Sequence, residues 1–185
     1  MWLTHFEQAR NESMRLRKPI ILQFEREGCG GCRKLYEFTY KDSNVDRELD
    51  EWFILLRLDI FKDREVRREY SAYWTPSFYF TDYDGKLLYK FNGYLPPVEF
   101  RIMLRLALSE YLIPKGKYDQ ALSTLDSEVE DLRHGVMFPK LEFQKGVVLY
   151  LKHHDNREFR SIMDDIRNKY RGSLESYMYF WEDGI

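Results

Sequence analysis

Cysteine is scarce in this sequence. Its 185 residues hold two, Cys29 and Cys32, so no framework of structural disulfides can stand beside that single pair. Long apolar runs are missing as well. No stretch approaches the ~20 residues that span a bilayer. Residues 1–18 mix Trp2, Leu3, Phe6 and Met14 with Glu7, Arg10, Glu12, Arg15 and Arg17, which is not the ~7–15-residue apolar core of a secretory signal. The expectation is a cytoplasmic protein without a membrane span, or a periplasmic one if a signal has been removed. Charge of one sign is also lacking. Lys and Arg number 29 against 31 Asp and Glu, for a net charge of −2. Arg64, Arg67 and Arg68 are interleaved with Asp63, Glu65 and Glu69, as on a solvated helix face. Nothing here supplies the field that holds a nucleic-acid backbone, so no nucleic-acid partner is expected.

What is present is core material: 44% hydrophobic and 17% aromatic residues, enough to exclude wholesale disorder. Thr4 to Arg17 reads as a helix, with Thr4 and Glu7 spaced as a capping box, and Pro19 stops it. Ile20–Phe24 is a short apolar run of strand length, followed by a turn at Gly28–Gly31 and a helical pattern from Cys32 to Tyr40. Ser43 is placed to cap a further helical turn. Trp52–Asp59 reads as a second buried strand and Asp63–Tyr70 as a charged helix. Ser77–Thr81 and Leu87–Phe91 form a hairpin around Asp84-Gly85. Pro96-Pro97 opens a long helix with Phe100, Met103, Leu104, Ala107, Leu108, Tyr111 and Leu112 on one face. The alternation of helix and strand predicts an α/β fold with a mixed sheet flanked by helices.

The chemistry concentrates in Cys29-Gly30-Gly31-Cys32. Two intervening residues put both thiols on one side of a first helical turn, within bridging reach. A strand leads in and a helix leads out, so Cys29 falls at a helix N-terminus, where free N–H groups and the macrodipole favour an anion. Cys29 is therefore the expected nucleophile, and Cys32, one turn deeper, the resolving thiol. Zinc binding and a pair of inert thiols are the competing readings. Zinc wants about four ligands, and the four histidines, His5, His134, His153 and His154, are remote in sequence from the pair. No metal and no cofactor beyond the redox-active disulfide is expected.

Lys18-Pro19-Ile20-Ile21-Leu22-Gln23-Phe24, then Cys29-Gly30-Gly31-Cys32, then Tyr73-Trp74-Thr75-Pro76-Ser77-Phe78 resembles the thioredoxin superfamily. The run from Cys32 to Val45 is similar to the thioredoxin-like domain of bacterial membrane thiol:disulfide interchange proteins and their soluble relatives. The resemblance spans about residues 4–110. It implies a thiol-disulfide oxidoreductase acting on protein disulfides. It also implies a cis Thr75–Pro76 peptide whose preceding backbone pairs with an extended substrate, with Trp74 as a candidate apolar rim. The departures carry information too. Gly28 stands where the family usually has Trp, and Gly31 where thioredoxins have proline. Gln23 stands where they have a buried Asp that relays a proton. Glutamine cannot titrate. Glu25, two residues on and on the same strand face, is either a substitute or a solvated residue at the strand end. Gly30 and Gly31 also loosen the reduced loop.

After Ile113-Pro114-Lys115-Gly116-Lys117 the pattern is helical throughout. The expected division is residues 1–113, a redox domain, and 114–185, a small all-α segment. Gly116–Leu122, then Gly146, Tyr150 and Phe159, resemble a tetratricopeptide repeat and a fragment, with Asp155-Asn156 as the inter-helix turn. His153-His154 has a metal-like look but fits a solvated turn. Tyr177, Tyr179, Phe180 and Trp181 form an aromatic cluster that calls for burial. Either the segment docks a protein partner or it caps the first domain. The alternative to an oxidoreductase is a binding adaptor on a thioredoxin scaffold.

Overall fold

The computed structural model describes residues 1–178, in two compact units that meet in sequence between Tyr111 and Leu112. The first unit contains α1 (Phe6–Leu16), β1 (Ile20–Glu25), α2 (Gly30–Glu37), α3 (Ser43–Trp52), β2 (Ile54–Asp59), α4 (Arg64–Glu69), β3 (Ser77–Thr81), β4 (Leu87–Asn92) and most of α5 (Pro97–Leu112). The sheet order is β2-β1-β3-β4. β1 runs parallel to β2 and antiparallel to β3, and β4 is antiparallel to β3. The mixed sheet with flanking helices is thus the α/β class expected from the alternation of elements. A parallel pair cannot be joined by a tight turn, and α2 and α3 supply the crossover between β1 and β2.

Strand position follows composition. β1, Ile-Ile-Leu-Gln-Phe-Glu, is buried through its first five residues and lies in the sheet interior, as an unalternating apolar run requires. β4 is at the edge and is only partly covered. The opposite edge is covered by the N-terminal segment. The Leu3 N–H donates to Leu55 O (2.8 Å), and the Arg57 N–H donates to Leu3 O (2.9 Å). On one face Ile20, Leu22, Phe24, Leu56 and Tyr79 form a core with Ala9 and Phe6 of α1. Elsewhere aromatic rings meet edge to face, Phe78 with Phe100 at 5.2 Å and Phe53 with Phe80 at 5.3 Å between centroids.

Three local expectations differ from the structure. α1 starts at Phe6 with His5 as an uncapped N-cap. Thr4 Oγ1 bonds His5 Nδ1 instead (3.1 Å), so no capping box forms. Asp42, not Ser43, caps α3, its Oδ1 accepting from the N–H groups of Asn44 (2.9 Å) and Val45 (3.1 Å), because a carboxylate is the better acceptor for two donors. Trp52 ends α3 rather than opening β2.

The periodicity of α5 also conceals a buried charge cluster. Arg101 Nε and Arg105 Nη2 donate to Glu48 Oε1 of α3 at 2.8 and 3.0 Å, and Arg105 Nη1 donates to Oε2 at 2.8 Å. The Arg105 guanidinium lies 5.1 Å from the Trp52 ring centroid. Glu48 and Arg105 have no exposed surface.

The second unit holds α6 (Tyr118–Asp126), α7 (Val129–Leu132), α8 (Phe138–His153) and α9 (Arg157–Lys169). α8 packs on both α6 and α9. Gly146 permits the close approach of α9: a Cβ there would lie 2.9 Å from Phe159 Cδ2. His154 ends α8 with a left-handed backbone. Asp155 Oδ1 then accepts from the Arg157 N–H (3.0 Å), so Asp155-Asn156 makes the turn. Of the aromatic cluster near the end, Tyr177 is exposed, while Tyr179, Phe180 and Trp181 lie outside the described residues. Among the described residues no helix is long and apolar enough to cross a membrane.

Candidate functional site

The site is built where β1 hands the chain to α2. The β-turn Arg26–Cys29 is closed by the Cys29 N–H donating to Arg26 O (3.3 Å). Gly28 sits in it at φ +71°, a left-handed backbone that strains any residue bearing a Cβ. That conformation accounts for glycine at the position where the family usually places Trp. Cys29 is the N-cap of α2, and its Sγ accepts a hydrogen bond from the Cys32 N–H at 3.1 Å. Cys29 and Cys32 form a disulfide with Cα atoms 5.3 Å apart. Both residues are buried, Cys29 at 8% exposure and Cys32 at 4%. Beside them opens a cleft of about 460 Å³, lined by both cysteines, Glu25, Glu27, Tyr36 and Asp59 together with Gly30 and neighbouring residues of the turn and α2.

Gly31 faces away from open space. A Cβ built on it would lie 2.8 Å from Cδ of Pro76, which follows a cis Thr75–Pro76 peptide, and 3.6 Å from Cβ of Tyr94. A Cβ on Gly30 would meet nothing within 4 Å. The two glycines therefore answer differently to substitution. Gly31→Ala must displace the Pro76 loop or the turn of α2, and overpacking of this kind costs about 1–3 kcal/mol. Gly30→Ala should change stability by less than about 1 kcal/mol. Urea unfolding of the two variants side by side checks the contrast.

Beneath the pair lies a polar network. The Tyr40 hydroxyl donates to Gln23 Oε1 and the Tyr36 hydroxyl to Glu25 Oε2. Gln23 Nε2 donates to Glu25 Oε2 at 3.2 Å, and Arg57 Nε stands 3.6 Å from the same oxygen. Arg57 is held between the rings of Trp2 (4.7 Å to the centroid) and Tyr36 (4.9 Å). Burial, then the bond to Glu25, drives the Tyr36 phenol far above its ordinary range. Burial does the same for Tyr40. In the core, burial with Glu69 nearby pushes Tyr70 up to about 12.

These raised phenols have a pH consequence. An unfolded chain ionises tyrosine near pH ~10, while the folded chain keeps these protons. Their contribution to stability is complete below about pH 10 and is lost as pH rises from there toward the folded values. The urea midpoint should fall between pH 9 and pH 11.5, and Tyr70→Phe should fall less steeply over that interval.

The structure thus joins Cys29, Cys32 and Gly30 around one cleft and sets Gly31 against Pro76. Gln23 reaches the cleft through Glu25. Trp74 is 57% exposed and is not among the residues lining the cleft. Sequence reasoning missed Arg57, Trp2 and the donor role of Tyr36. A single arginine inside the apolar run of β2 was the available signal. Among the described residues no group of three or more His, Cys, Asp and Glu is placed to hold a metal.

Known proteins fit this geometry. Residues 6–108 match the family model of the thioredoxin-like domain. The thiol:disulfide interchange protein DsbD of Campylobacter jejuni (strain RM1221) is 24% identical over 98 residues, 51% of this chain and 17% of the relative, so the match spans about a sixth of that protein. A second C. jejuni strain gives the same figures. Among solved structures, a thioredoxin from Thermus thermophilus superposes with a TM-score of 0.54 at 21% identity, covering 62% of this chain and 92% of that one. The DsbH oxidoreductase superposes at 0.50 with 20% identity, covering 58% and 83%. The fold, the bridged cysteines at the start of α2 and a family match over more than half of its length lead to one statement: the chain belongs to the thioredoxin-like domain family.

Proposed function

We propose that this protein is a thiol-disulfide oxidoreductase that acts on protein disulfides. The Cys29 thiolate attacks one sulfur of a partner disulfide, forming a mixed disulfide and releasing the partner's other sulfur as a thiolate. Cys32 then attacks Cys29 Sγ, the partner's second thiolate leaves, and the Cys29–Cys32 bond closes with two electrons passed to the partner. An external dithiol returns the pair to the reduced form. The Thr75-Pro76 loop would hold the partner backbone beside the cleft, with Trp74 as an apolar rim. The observation that carries this reading is the Cys32 N–H aimed at Cys29 Sγ at the first turn of α2. A sulfur in that position is stabilised as an anion by the helix start. The family match and the likeness to an interchange protein support the same reading. Insulin reduction driven by dithiothreitol tests it. The protein should accelerate precipitation of the insulin B chain, and Cys29→Ser should not. Equal binding of a client by both forms, with turnover by neither, would favour the adaptor reading instead.

A further inference from the structure

Resolution of the mixed disulfide requires the Cys32 thiol to lose a proton, yet Cys32 is 4% exposed. The acceptor must sit in the cleft. Gln23 cannot titrate. Asp59 also lines the cleft, but among the described residues its carboxylate bonds within its own turn, Oδ1 accepting from the N–H groups of Phe61 (2.8 Å) and Lys62 (3.0 Å), whereas Glu25 is joined through Tyr36 to α2, the helix that carries Cys32. Glu27 is exposed to solvent, as are Arg26 and Arg33, and a guanidinium accepts no proton. Tyr36 is a donor to Glu25, and burial holds its phenol protonated. Glu25 remains. It is half-buried and walls the cleft together with both cysteines. Among the described residues its partners Tyr36, Gln23 and Arg57 all converge on Oε2, and none of those contacts engages Oε1. One carboxylate oxygen is thus anchored from α2, β1 and β2, and the other takes no part in those contacts.

We propose that Glu25 takes the proton of Cys32 as that thiol attacks the mixed disulfide, and that Gln23, Tyr36 and Arg57 are positioning residues for its carboxylate. The inference rests on the oxidoreductase reading and adds the base to it. In the step the Cys32 S–H bond breaks, its electron pair forms the bond to Cys29 Sγ, and the Cys29–partner bond breaks. The partner sulfur leaves as a thiolate, and the proton passes to Glu25, directly or through cleft water. When the pair is later reduced, the same carboxylate returns the proton to the Cys32 thiolate. Arg57, wedged between Trp2 and Tyr36, holds the carboxylate in place while it is charged.

Reduced protein mixed with one equivalent of dithionitrobenzoate separates the two half-reactions, because the released thiolate is coloured. The first release reports attack by Cys29 and the second reports resolution by Cys32. In Glu25→Gln the first release should keep its rate, while the second slows about 100-fold at pH 7. That second phase should then climb with hydroxide concentration instead of levelling off. Glu25→Asp, which keeps a carboxylate, should restore part of the rate. A second release in Glu25→Gln with the wild-type rate and pH profile would overturn the assignment, as would equal slowing of both releases. Absence of any first release in the wild type would instead sink the oxidoreductase reading itself.

Discussion

On the proposed function, serine at Cys29 should abolish disulfide exchange, whereas serine at Cys32 should leave the first half-reaction intact and trap the partner as a mixed disulfide. The asymmetry follows from the two environments. Cys29 caps α2 and receives the Cys32 N–H on its sulfur, so on reduction it is the sulfur that the helix start should favour as an anion. A serine hydroxyl at that position is a far poorer nucleophile, and turnover should fall more than about 1,000-fold. Cys32 lies deeper and is needed only to expel the partner. Cys32→Ser should therefore accumulate a covalent adduct on Cys29, visible by intact-mass spectrometry and reversed by dithiothreitol. The reverse pattern, with adducts only on Cys32, would exchange the two roles.

Removal of the Glu48 carboxylate should be strongly destabilising. Glu48 faces Arg101 and Arg105 in a site without exposed surface at Glu48 or Arg105. Glu48→Leu leaves two guanidiniums buried without the carboxylate that both address, and breaking a buried pair in this way costs about 3–5 kcal/mol. The urea midpoint should drop by more than about 1 M. Replacing all three charged residues with apolar ones of similar volume should recover much of the loss, because the desolvation penalty then disappears with the charges. As a control, the exposed pair Arg33–Glu37, 3.8 Å apart, can be removed with almost no shift of the midpoint. If Glu48→Leu unfolds at the wild-type midpoint, α3 and α5 are not held by this cluster.

The parts of the fold that were legible in the sequence were those set by local chemistry. Ile20–Phe24 reads as a strand because nothing in it needs water, and the Cys-x-x-C pair reads as a site because strand, turn and helix punctuation surround it. Asp82–Lys86 reads as a hairpin turn, and Gly85 adopts φ +84° within it. What was not legible depends on long-range partners. Arg101 and Arg105 meet Glu48 from 53 and 57 residues away, so no periodicity announces them. Glu25 could be read as a solvated strand end because Tyr36 and Arg57 reach it from other elements. Gly31 reads only as a flexible residue until Pro76 is seen against it. Helix boundaries slipped for a similar reason: Asp42 and Ser43 can each cap a helix, and only the hydrogen bonds choose between them.

Alkylation of the fully reduced protein by iodoacetamide, followed across pH, tests most directly whether the start of α2 activates one sulfur. Cys29 should be modified first and should reach half its maximal rate clearly below pH ~8.5, where a free thiol does, with Cys32 far slower throughout. A Cys29 profile that overlays that of a free thiol, or equal modification of both cysteines, would contradict the account.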